Sequence, residues 1–93
     1  MSWIGRRRLM TMAFTRRTVE LPAGSVRAYV EAEWEDALVM VVQGVVELEG
    51  LSGRRWRFPA GAMLWLTDLP VRAIHNPGEE TARLCAVSRR PMS

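Results

Sequence analysis

Gly61-Ala-Met-Leu-Trp-Leu66-Thr-Asp-Leu-Pro70-Val-Arg-Ala-Ile-His75-Asn76 holds two short β-type runs between turn residues. Residues 62–66 and 71–75 are mainly apolar, of the kind that suits a pleated, half-buried surface, whereas 67–70 has turn composition. Gly61 in front and Asn76-Pro-Gly78 behind supply the backbone freedom that reversals need. The stretch reads as strand, turn, strand, turn.

The same rhythm continues outward in both directions. The runs are residues 18–21, 26–33, 37–43, 45–49, 54–58, 62–66, 71–75 and 82–88, separated by clusters rich in Gly, Pro, Asn and Asp. Short strands at near-even spacing predict an all-β barrel or sandwich. Within 26–33, Val26, Ala28, Val30 and Ala32 alternate with Arg27, Tyr29, Glu31 and Glu33, so the strand has two unlike faces. Either the apolar set fills the interior and the charges meet water, or Glu31 and Glu33 point inward. Ala37-Leu-Val-Met-Val-Val42 is apolar on both faces, and in so small a chain the outer face is expected to be covered by a second copy, making a homodimer. No amphipathic helix and no internal repeat is present. The expected organisation is a basic extension over residues 1–17, in which Trp3, Ile4, Leu9, Met10, Met12 and Phe14 form a covering strand, a helix or a frayed end, and one barrel over residues 18–90.

Ninety-three residues make one domain with a single core. No apolar run is long enough to span a bilayer and no signal-peptide core follows the first arginines, so a soluble, cytoplasmic protein without membrane contact is expected. Cys85 is the only cysteine, and in its apolar setting it reads as a small core residue. All thirteen basic residues are arginine. Five of them precede Thr18 without an acid, and from there on eight arginines face ten acids. The basicity belongs to a tail over a slightly acidic body, and with no nucleic-acid reading motif beside it a nucleic-acid partner is not expected.

The quoted stretch resembles the second signature of the cupin superfamily: glycine, five residues, Pro-x-Gly, two residues, His, three residues, Asn. Gly61 and Asn76 fit, while Thr67, Leu69 and Arg72 stand for proline, glycine and histidine. The run from Ala37 to Gly44 is similar to the second half of the family's first signature. The resemblance implies a small cupin-type (double-stranded β-helix, or jelly-roll) barrel. It also puts Ala37 at the glutamate ligand position, and Glu31/Glu33 or Val30/Ala32 at the first two histidines. A guanidinium at position 72 repels a divalent cation, so no metal and no cofactor is expected. Arg72 with Glu31 and Glu33 would form a charge cluster in the barrel mouth instead, unless these groups and Arg27 simply face water.

The expected function is binding of a small organic molecule, or service as an interaction or regulatory module. The expected ligand-contacting residues are Tyr29, Glu31, Glu33, Val39, Val41, Trp65, Arg72 and His75, with Arg72 holding an anionic group and Val39 and Val41 forming an apolar wall. Trp65, inside an apolar run, is also expected in the core. His75, the sole histidine, is a structural residue or, paired with Glu31 or Glu33, the weak candidate for acid-base catalysis in an isomerase- or cyclase-type enzyme. An atypical carboxylate-ligated metal site is the other enzymatic alternative. Trp56, between Arg55 and Arg57, reads as an exposed aromatic that packs under a loop or partner, or stacks on a ligand.

Overall fold

Eight antiparallel strands bury alternate side chains between two sheets in a computed structural model that describes residues 12–91. In chain order they are β1 (Met12–Leu21), β2 (Val26–Ala28), β3 (Ala37–Gln43), β4 (Val45–Gly50), β5 (Arg55–Pro59), β6 (Met63–Trp65), β7 (Val71–His75) and β8 (Ala82–Pro91), with one helical turn, α1 (Glu31–Trp34), between β2 and β3. The sheets run β1-β8-β3-β6 and β2-β7-β4-β5. Only β4 and β5 are consecutive neighbours in one sheet; every other connection crosses between sheets, which is the jelly-roll arrangement.

The period-two pattern decides which side chains fill the space between the sheets. On β3, Ala37, Val39 and Val41 are buried while Leu38, Met40 and Val42 stay exposed. Val46 and Leu48 of β4, Leu64 of β6, Ile74 of β7 and Leu84 of β8 complete the core from both sides. The bounds of β3 and β7 coincide with the runs read from the sequence.

Two segments differ most from expectation. β1 starts at Met12, not Thr18, and pairs with β8 in unbroken register from Met12↔Pro91 to Leu21↔Ala82. A charged residue is tolerated on its inner face because Arg17, opposite buried Ala86, lays its guanidinium 4.9 Å from the centre of the Trp34 ring and donates to the Glu33 carbonyl. Trp3, Ile4, Leu9, Met10 and the arginines of residues 6–8 lie outside the described residues.

The second difference is the run 26–33, which is a strand only as far as Ala28. Arg27 stands opposite core residue Ile74, so the charged residue faces inward and Val26 and Ala28 face out. The inversion is held by the Glu33 carboxylate, which accepts from Arg27 Nη2 at 2.9 Å. Glu-Ala-Glu-Trp then winds into α1, which swings Trp34 between the sheets, where it is fully buried. Glu31 and Glu33 thus sit on a helical turn and not on a strand face.

Asn76 ties the connections at one end together. Its Nδ2 donates to the carbonyls of Leu21 at 2.9 Å and Glu80 at 2.7 Å, with Pro22 at 3.2 Å, while its Oδ1 accepts from Gly78 N–H at 2.9 Å. Its own backbone pairs with Ser25 and Gly24. Beside it Gly44 adopts φ +80°, and a Cβ there would meet Ala82 Cα at 3.0 Å, so the β3–β4 turn packs directly on β8.

Candidate functional site

The end of the barrel opposite Asn76 is bounded by the connections 29–36, 51–54 and 66–70, and it carries two adjoining concavities. Strand β5 explains the opening's chemistry: Trp56 and Phe58 alternate with Arg55 and Arg57, so both aromatics project from one face. They stand opposite Leu48 and Val46, the inward residues of β4. With Leu48, Leu69, Pro70 and Val71 they line an apolar cavity of about 220 Å³. Trp56 is fixed there by Gly50, where an added Cβ would lie 3.0 Å from the indole ring and 3.3 Å from the Pro70 carbonyl oxygen.

Leu69, Pro70 and Val71 also form the wall of an adjoining polar cleft of about 380 Å³, whose other sides are Tyr29, Glu31, Leu51 and Asp68. The Tyr29 hydroxyl donates to the Leu66 carbonyl at 3.4 Å. Its pKa is pushed up by burial, and further by the negative charges of Glu31 and Asp68. Asp68 adopts φ +67°, a conformation aspartate tolerates better than most residues. The mouth is therefore apolar within and acidic at its rim.

The residues expected from the sequence to share one pocket occupy five places, Glu33 being drawn away from the rest by its ion pair with Arg27. Tyr29 and Glu31 do line the cleft. Val39 and Val41 are fully buried in the closed core. Trp65 is 53% exposed on the outer face of the first sheet, opposite Leu38, and is not a core residue. The run containing it is apolar on both faces, and Leu64 and Leu66 take the inward positions. Leu48, Phe58, Leu69, Pro70 and Val71 line the cavity without being among the expected residues. The period-two spacing of Trp56 and Phe58 was the available signal.

Arg72 and His75 sit on β7 in the second sheet, and their partner is Glu49 rather than Glu31 or Glu33. His75 Nε2 lies 2.7 Å from Glu49 Oε1, and Arg72 Nη1 is 3.5 Å from Glu49 Oε2 while its Nη2 donates to the Leu51 carbonyl at 2.7 Å. Two residues along β4, Glu47 accepts from Arg55 at 3.0 Å and from Arg57 at 2.8 Å. This ladder lies on the outer face, since Glu47 and Glu49 alternate with core residues Val46 and Leu48.

The ladder carries a pH signature. Hydrogen bonds from Arg57 and Arg55 hold the Glu47 carboxyl below the ordinary glutamate value of 4.5, and the His75 hydrogen bond does the same for Glu49. Groups with lowered folded-state pKa add stability that is complete above about 4.5 and is lost as pH falls through the lower folded value. The melting temperature is expected to drop below pH 4.5, and the Glu47→Gln/Glu49→Gln double variant to show a smaller drop over the same range. Parallel wild-type and variant profiles would refute the assignment.

The donor set does not suit the metal of the resemblance. Ala37 offers a buried methyl, Arg72 faces Glu49, and Glu33 is engaged by Arg27. Among the described residues no three His, Cys, Asp or Glu side chains converge. No described helix is long and apolar enough to cross a membrane.

No protein-family model and no curated protein matches this chain. Among solved structures it is similar to a Cupin 2 conserved barrel domain protein from Salinispora arenicola, with TM-score 0.63 and 23% identity over 80% of this chain and 60% of that one. The chain has the cupin barrel fold. The cupin domain of Schizosaccharomyces pombe Cnp3 superposes with TM-score 0.67 at 20% identity, over 84% of this chain and 52% of that one. The Cupin_2 domain of an XRE family transcriptional regulator from Enterobacter cloacae gives TM-score 0.62 at 12% identity, covering 83% and 94%. This cupin barrel spans 60% or less of the first two structures.

Proposed function

We propose that this cupin barrel binds a small organic molecule at its open mouth. The observation that carries the reading is the apolar cavity of about 220 Å³ walled by Trp56 and Phe58, which shares Leu69, Pro70 and Val71 with a polar cleft. Ligand sites are characteristically concave and apolar with a few polar groups at one side. A regulatory role is compatible with it, since one structural neighbour is a domain of a transcriptional regulator. The lone thiol of Cys85 suits a reducing cytoplasm.

Small aromatic probes titrated into the isotopically labelled protein are expected to shift resonances of Trp56, Phe58 and Val71. Trp56→Ala is expected to weaken their binding about tenfold, the loss of one well-packed aromatic contact. Binding that ignores Trp56→Ala would move the site elsewhere.

The barrel's proposed partner is a second copy of itself. Leu38, Met40 and Val42 of β3 and Met63 and Trp65 of β6 form one exposed apolar area, with Leu38 paired to Trp65 and Met40 to Met63. Apolar side chains contiguous across two strands mark an interaction surface. Sedimentation equilibrium is expected to give the dimer mass for the wild type and the monomer mass for Met40→Glu. A monomeric wild type at 100 µM, about the ceiling for a weak specific pair, rules the dimer out.

A further inference from the structure

We propose that the ligand is an aromatic molecule bearing a positively charged amine, its ring between Trp56 and Phe58 and its cation facing Glu31 and Asp68. The proposal rests on the ligand-binding reading above and adds size, shape and charge. An apolar protein cavity of roughly 150 Å³ accepts benzene. At about 220 Å³ the cavity matches a two-ring system. The shape follows from the walls: a flat indole is held across Gly50, and its position is set before any ligand arrives.

The charge follows from the cleft. Among the described residues Glu20, Glu33, Glu47 and Glu49 each have an arginine partner, whereas Glu31, Glu35, Asp36, Asp68, Glu79 and Glu80 have none within 4.0 Å, and of these six only Glu31 and Asp68 line the cleft. The charges of these two reach the Tyr29 hydroxyl. Of the two arginines near the mouth, one is engaged on the outer face of the sheet and the other lies against the cavity wall. Arg72 is held by Glu49 and the Leu51 carbonyl, and Arg54 stands 5.4 Å from the centre of the Trp56 ring. That stacking is itself a cation on the indole face, the same attraction an amine would use. An anionic ligand would meet two carboxylates without partners at the rim.

Three probes with one ring separate ring from charge: 2-naphthylmethanol, 2-naphthylmethylamine and 2-naphthoate, titrated calorimetrically into the full chain. The amine is expected to bind about tenfold more tightly than the carboxylate at low salt, the sum of two exposed ion-pair contributions. The preference is expected to shrink as salt rises. The Glu31→Gln/Asp68→Asn double variant changes two exposed side chains and is expected to keep the wild-type melting temperature while bringing the amine down to the affinity of the alcohol. Equal binding of amine and carboxylate, or a preference for the carboxylate, overturns the charge assignment and leaves the ligand-binding reading standing. Binding of none of the three overturns both.

Discussion

Trp34→Ala is expected to destabilise the barrel by about 3–5 kcal/mol, the range for removing a fully buried tryptophan. That is a large part of the total stability of a small domain, roughly 5–15 kcal/mol. Trp34 is fully buried between the sheets and carries the stacked guanidinium of Arg17, so its removal leaves an indole-sized void and an unstacked cation. Indole added to the variant is expected to raise its melting temperature by refilling the void, and to leave the wild type unchanged. Trp34 Nε1 has no hydrogen-bond partner, so Trp34→Phe loses volume but also removes a buried, unsatisfied donor. It is expected to cost clearly less than Trp34→Ala. Urea unfolding measures the cost of both variants, and thermal melting measures the effect of indole. A cost below about 1 kcal/mol for the alanine variant would mean that Trp34 is not what fills the interior.

Asn76→Asp is expected to be of similar size, about 3–5 kcal/mol, the penalty for a buried charge without a partner. The substituted carboxylate would face the carbonyl oxygens of Leu21, Pro22 and Glu80, which now receive hydrogen bonds from the amide. Burial and these carbonyls both raise the new carboxyl's folded-state pKa. Its penalty is therefore full at neutral pH and shrinks as pH falls through that raised value, because the protonated form regains one donor. The difference in unfolding free energy between variant and wild type, followed from pH 8 to pH 4, isolates this effect from the Glu47 and Glu49 titrations shared by both proteins. A pH-independent difference would locate the loss in packing instead.

The fold was legible in the sequence where turn residues and continuous apolar runs agree. Ala37–Gln43 ends at Gly44, and Val71–His75 lies between Pro70 and Asn76, so their bounds could be read directly. The site was less legible. Tyr29 and Glu31 reach the cleft, but the apolar cavity is assembled from β4, β5 and the connection before β7, which are distant in sequence. Trp34 gave no signal of burial because Glu33, Glu35 and Asp36 surround it, and Trp65 looked buried because its neighbours are apolar. Local composition reports a residue's neighbours along the chain, whereas burial depends on what crosses above it.

By itself the sequence determined a small all-β chain with jelly-roll spacing, because strand periodicity and turn chemistry act over a few residues. Tertiary structure alone decided which face of residues 26–33 turned inward. Alternation permits either choice, and the ion pair of Arg27 with Glu33 and the lodging of Trp34 between the sheets select one. The same holds for Arg72: its position in the motif was readable, but its direction was set by Glu49 on the neighbouring strand. Pairing partners across a sheet are fixed by register, and register is a property of the folded whole.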